Sequence, residues 1–224
     1  MELKGKKIAF LGDSITQGVG VSDILDCRYD NVLKRELELA AVYNHGISGT
    51  RIAHQTSVSE CPRHDMNFCG RLYDITRGAD IVVVFGGTND YFRGDAPMGE
   101  LGDRTPATFA GAVRFLMERL PAEYPEIKVV FVTPARFSFD GMDGTEPSNH
   151  PYKKGRGYPL ADYINMIKET GKLCSVPVLD LYEGLGIDPT IPEDKEKYTV
   201  DGVHFNDAGH AIIAEKLGEF LKSL

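Results

Sequence analysis

Apolar residues follow two rhythms along this chain. Five short runs are continuous and rich in β-branched residues: Lys7–Leu11, Val42–His45, Asp80–Phe85, Lys128–Thr133 and Val176–Leu181. "IVVVF" and "VVFV" do not alternate with polar positions, which predicts strands covered on both faces. Between the runs the spacing lengthens to that of a helix. Phe109, Val113, Leu116 and Leu120 fall on one helical face behind Thr105-Pro106, a cap and first-turn pair. Leu160, Ile164 and Ile167 repeat the pattern, as do Ile213, Leu217 and Phe220 in the last segment. Strands alternating with helices predict an α/β fold, a parallel sheet with helices on both sides.

The length of 224 residues suits one domain over residues 1–224, and no repeat, linker or low-complexity segment interrupts it. The longest irregular stretch, Phe137 to Pro159, follows the C-terminal end of a predicted strand, the side on which open α/β sheets bind ligands. It reads equally as a ligand-edge segment or a surface insertion. With 42% hydrophobic and 26% charged residues, the composition is that of a soluble globular protein.

The net charge of −8, with no basic stripe and interleaved aromatics, argues against nucleic acid as a partner. Lys4, Lys6 and Lys7 precede an apolar run, but it is far shorter than the ~7–15 residues of a secretory segment. No stretch approaches the ~20 apolar residues of a membrane span, so a cytoplasmic protein without a membrane partner is expected. The four cysteines, Cys27, Cys61, Cys69 and Cys174, read as free thiols. His54, Cys61, His64 and Cys69 fall close together, but no CxxC pair is present and their spacing matches no standard zinc site. They read as a polar loop holding ordinary thiols, and no metal is expected.

Four polar stretches sit where strands end or helices begin. "LGDSITQG" follows the first run, "NHGISGT" the second and "GGTND" the third, while "DGVHFNDAGH" opens the final helix. In a parallel sheet all four open on one edge. Ser14 could simply cap a helix, Gly49 relieve a turn, and Asn89, Asp201 and His204 occupy loops. Together they match what acyl transfer requires. A serine hydroxyl needs a base, and the base needs a carboxylate to orient it. His204 can be that base, and Asp201, three residues before it, can reach its Nδ1–H. An oxyanion needs donors in place, which the Ser14 and Gly49 N–H groups and the Asn89 amide can supply. His210 competes as base but lies within the last helix with no carboxylate so placed before it. Asp13 supports the Ser14 turn.

"GDSITQG", "GISG", "GGTND" and "DGVH" resemble, in order, the four sequence blocks of the GDSL, or SGNH, hydrolase family. The resemblance implies a three-layer α/β/α, flavodoxin-like fold with a five-stranded parallel sheet. It also implies Ser14 as nucleophile, Gly49 and Asn89 as oxyanion donors beside the Ser14 N–H, and Asp201 with His204 as the remaining pair. The expected activity is hydrolysis of a small-molecule ester through an acyl-enzyme, with no cofactor. Polar loops near the site favour a short acyl group, such as acetyl, on a polar alcohol such as a sugar. Tyr91, Phe92 and Arg136 are candidate substrate contacts. A lysophospholipase or thioesterase for longer chains is the alternative within the class. A flavodoxin-like phosphate or flavin binder is the alternative outside it, although "GDSITQG" lacks both phosphate-loop spacings.

Overall fold

Each of the five apolar runs becomes a strand. The structure, a computed structural model, describes residues 1–153 and 157–224. Its strands are β1 (Lys7–Gly12), β2 (Ala41–Gly46), β3 (Ile81–Phe85), β4 (Lys128–Val132) and β5 (Val178–Leu179). All pair in parallel, in the order β2-β1-β3-β4-β5. β5 is shorter than its run predicts because Asp180 turns away to cap the next helix, accepting the Tyr182 N–H at 3.1 Å.

The helices are α1 (Ser14–Gln17), α2 (Ile24–Cys27), α3 (Tyr29–Glu36), α4 (Phe68–Arg71), α5 (Thr88–Phe92), α6 (Phe109–Glu123), α7 (Leu160–Cys174), α8 (Leu181–Gly184), α9 (Pro192–Tyr198) and α10 (Asp207–Ser223). Thr108, rather than Thr105, caps α6: its hydroxyl accepts the Gly111 N–H at 3.1 Å. The Thr105-Pro106 pair lies a turn upstream, with the Thr105 carbonyl folded so closely onto Gly111 that a Cβ there would sit 2.1 Å from it.

Neighbouring strand residues point to opposite faces, and both faces are covered. Ala9, Leu11, Val82, Val84 and Phe131 pack with Phe68 of α4, Leu116 of α6 and Ile167 of α7. Ile8, Phe10, Val83 and Val130 pack instead with Leu33 of α3 and with Ile213 and Leu217 of α10. Helices therefore cover both sides of the sheet, giving the three-layer arrangement expected above. No helix among the described residues is long and apolar enough to cross a membrane.

The strand order places the site. From β1 the chain moves out to β2, then crosses back to β3 on the other side of β1. The crevice at the carboxyl ends of β1 and β3 is thus a topological switch point, where open α/β sheets receive ligands. α1 starts there after β1, and α5 starts there after β3.

Candidate active site

The turn from β1 into α1 is tight. A Cβ on Gly12 would lie 2.0 Å from Thr16 Oγ1, so only glycine lets the helix begin so soon after the strand. Asp13 caps α1 by accepting the Ile15 N–H at 3.1 Å, which makes Ser14 the first helical residue. Ser14 Oγ lies 3.0 Å from His204 Nε2, and His204 Nδ1 lies 2.6 Å from Asp201 Oδ2. The other Asp201 oxygen accepts the N–H groups of Val203 and His204 at 2.9 and 2.8 Å. Burial pushes the Asp201 carboxyl up, but hydrogen bonds from His204 and Val203 outweigh it and hold the group below the usual carboxylate range. The carboxylate is therefore ionised and fixed against the imidazole at neutral pH.

Two further loops reach the same place. Gly49 adopts φ +79°, and a Cβ there would sit 2.3 Å from the His64 ring. The Asn89 amide, in α5, donates to Thr50 O at 3.1 Å and lies 3.3 Å from Asp13 Oδ2. Burial lifts the Asp13 carboxyl to about 6, against the opposing Ile15 N–H and the positive influence of His204. Ser14, Gly49, Asn89 and His204 line one cavity of about 380 Å³. His210 is elsewhere, buried between α10 and α3. Its Nδ1 accepts the Tyr29 N–H at 3.2 Å, and its ring stacks on Tyr29 with centroids 5.7 Å apart.

This arrangement of strand-end serine, histidine and aspartate lies within a stretch that matches a family model, the GDSL-like lipase/acylhydrolase family, over residues 10–212. The chain belongs to that family. As a member it is an ester hydrolase. A solved structure of a protein from Lactobacillus plantarum is 33% identical and superposes with a TM-score of 0.81, over 99% of this chain and 98% of its own. The native M. smegmatis aryl esterase is 23% identical, with a TM-score of 0.66 over 98% and 99% of the two chains. A carbohydrate acetylesterase family member from Sinorhizobium meliloti is 19% identical, with a TM-score of 0.62 over 97% and 98%. These last two likenesses concern the fold. No curated protein matches the chain.

Within the family fold, the expected substrate contacts separate. Phe92 lines the cavity. Tyr91, its neighbour, does not: it is 1% exposed, packs against Phe137 and Tyr163, and donates its hydroxyl to Glu146 O at 2.9 Å. Arg136 is also away from the cavity. It donates to Tyr182 O at 3.1 Å, pairs with Glu183 at 3.1 Å and stacks over the Tyr182 ring. The long segment after Phe137 does reach the site, contributing Phe139, Met142 and His150 to the cavity. Residues 154–156 of that segment lie outside the described residues. Its Lys153 is buried and donates to Asp90 O in α5 and to Tyr163 Oη. His54, Cys61, His64 and Cys69 do not converge: among the described residues no three potential ligands gather to hold a metal ion.

Sequence reasoning missed Arg71, which is buried at the end of α4. Its guanidinium donates to His45 O at 2.6 Å, Gly12 O at 3.0 Å, Thr50 Oγ1 at 2.8 Å and Met66 O at 2.9 Å. It thus joins the end of β1, the end of β2 and the turn after Gly49. Burial lowers its pKa to about 10, so it remains charged at neutral pH. Nothing local in "FCGRLYD" marks that role.

Proposed function

We propose that this family member works through an acyl-enzyme on Ser14, and that its ester carries a short acyl group, acetyl foremost, on a polar alcohol such as a sugar. The observation that carries the reading is the unbroken hydrogen-bonded path from Ser14 Oγ through His204 to Asp201, at 3.0 and 2.6 Å. His204 takes the hydroxyl proton as Ser14 Oγ attacks the ester carbonyl, and Asp201 stabilises the imidazolium. The Ser14 and Gly49 N–H groups and the Asn89 amide receive the developing oxyanion. Asn89 keeps its bond to Thr50 O and exchanges the longer contact with Asp13 for the oxyanion. His204 then protonates the departing alcohol, and a water deprotonated by the same imidazole releases the acid.

Ser48, His64, Arg93 and Asp140 on the cavity wall support a polar alcohol, and the words carbohydrate acetylesterase attached to one fold neighbour agree with an acetyl group. One observation favours a second reading. Phe92, Phe139 and Met142 form an apolar side to the cavity, which suits a longer acyl chain of the kind lysophospholipases or thioesterases remove. Turnover of p-nitrophenyl acetate by the wild type and by Ser14→Ala, both with EDTA, tests the mechanism: activity is expected in the first and only background in the second. A p-nitrophenyl ester series from acetate to laurate tests the substrate. Activity is expected to fall as the chain lengthens, and a maximum at eight carbons or more would replace the short-acyl reading with the second.

A further inference from the structure

The cavity carries polar groups that the hydrolytic scheme does not use. Arg93 ends α5, its N–H bonded to Asn89 O at 2.9 Å. The residue is half-buried, yet among the described residues its side chain makes no ion pair and no hydrogen bond. His64 lies against the Gly49 backbone, and His150 comes from the long segment after Phe137. All three line the catalytic cavity, and all three also line a second depression that continues outward past Ser59, Cys61 and Pro151. They stand at the junction of the two spaces, just beyond the oxyanion donors.

A guanidinium without a protein acceptor keeps its planar fork available to the oxygens of a carboxylate or phosphate. The imidazoles complement it. Burial first, then the charges of Arg51 and Arg93, keep both below the ordinary histidine range, so neither adds charge near neutral pH, and the His64 ring offers one N–H donor. The carboxylates beside this junction, Asp140 on the first cavity and Glu60 on the second, are exposed, where water screens them. Buried Asp13 is already engaged by Ile15 and Asn89.

We infer that Arg93 and His64, with His150 on the wall beside them, form a subsite for an anionic group, a carboxylate or a phosphate, carried on the alcohol part of the ester. The inference rests on the short-acyl reading above, because an acetyl group has no place for the charge. It makes the preferred substrate an acylated acid, such as an acetylated uronate or sugar phosphate. It also gives a chain of net charge −8 a specific local means of holding an anion.

The test uses the Ser14→Ala protein, so that binding is read without turnover. Calorimetry compares 4-acetoxybenzoate and 4-acetoxyphenyl phosphate with neutral 4-acetoxybenzamide. At least one anion is expected to bind about tenfold or more tightly than the amide, as charge-assisted hydrogen bonds allow. The tighter of the two identifies the group. Adding Arg93→Gln is expected to bring the ratio to about one, and adding Arg93→Lys to restore part of it. A thermal melt confirms that each variant is folded, and the lysine variant decides if the glutamine variant is not. No anion preference at millimolar ligand, or a preference that survives loss of Arg93, overturns the subsite. Wild-type turnover of p-nitrophenyl acetate separately judges the esterase reading, so failure of one is distinguishable from failure of the other.

Discussion

Asp201 grips both the backbone and the ring of the histidine three residues on, so one carboxylate shapes its loop and orients the imidazole. Asp201→Asn would keep an oxygen for the two N–H groups but turn an amide toward Nδ1, favouring the wrong tautomer. kcat is expected to fall on the order of 10⁴-fold with the fold intact, measured by steady-state kinetics beside a thermal melt. A loss under about tenfold would mean that Asp201 serves the loop alone. This pair was readable in the sequence because its members are close neighbours and need no knowledge of the rest of the chain. The substrate contacts were not readable in that way. Tyr91 and Phe92 are adjacent on α5, and about 100° of helical rotation sends one into the core and the other to the cavity. Arg136 finds Glu183 and the Tyr182 ring across the fold, a choice no local spacing encodes. His64, Arg93 and His150 likewise come from three separate segments that meet only in three dimensions.

Strands were legible to within a residue or two wherever an apolar run ended at glycine or a polar turn, as β1 does at Gly12. β5 was overestimated because "LDL" continues the apolar rhythm while Asp180 has already left the sheet. The start of α6 was misplaced because two threonines, Thr105 and Thr108, offer the same chemistry one turn apart. What no run of residues disclosed is the clamp between elements. Arg71 satisfies carbonyls from β1, β2 and the α4 approach, together with the Thr50 hydroxyl. A lysine there would keep the charge but could not span these acceptors. Arg71→Lys is expected to lower stability by on the order of 3 kcal/mol, since buried acceptors left without donors cost about 1–3 kcal/mol each. It should also lower kcat more than KM rises, because Ser14 and Gly49 would lose their common support. Urea titration and steady-state kinetics would check both, and a stability loss below about 0.5 kcal/mol would show the clamp to be dispensable.

At the scale of the molecule, opposing buried groups shape the response to acid. His210 is fully buried, its Nε2 has no hydrogen-bond partner among the described residues, and burial followed by the charge of Arg28 brings its pKa down to about 4. Between there and its ordinary value of 6.5 the unfolded chain binds a proton that the native protein refuses, so stability is lost as pH falls through that window. Asp13 and Asp90 work in the opposite sense. Burial raises both, so the native state holds protons that the unfolded chain releases, and their contribution grows as pH falls from about 6. His210→Gln keeps an acceptor for Tyr29 and removes only the first effect. Relative to the wild type it is expected to gain on the order of 2–3 kcal/mol between pH 7 and pH 4.5, seen in urea midpoints at both. An identical difference at the two pH values would refute the assignment. The hydrogen bond between Ser14 and His204 spans 190 residues, and that distance has a consequence in time. A ribosome adding 5–20 residues per second needs roughly 10 to 40 s between the two. Throughout that interval the nascent chain carries the proposed nucleophile without the proposed base, so it is expected to gain the power to cleave esters only once the segment bearing His204 has joined the fold.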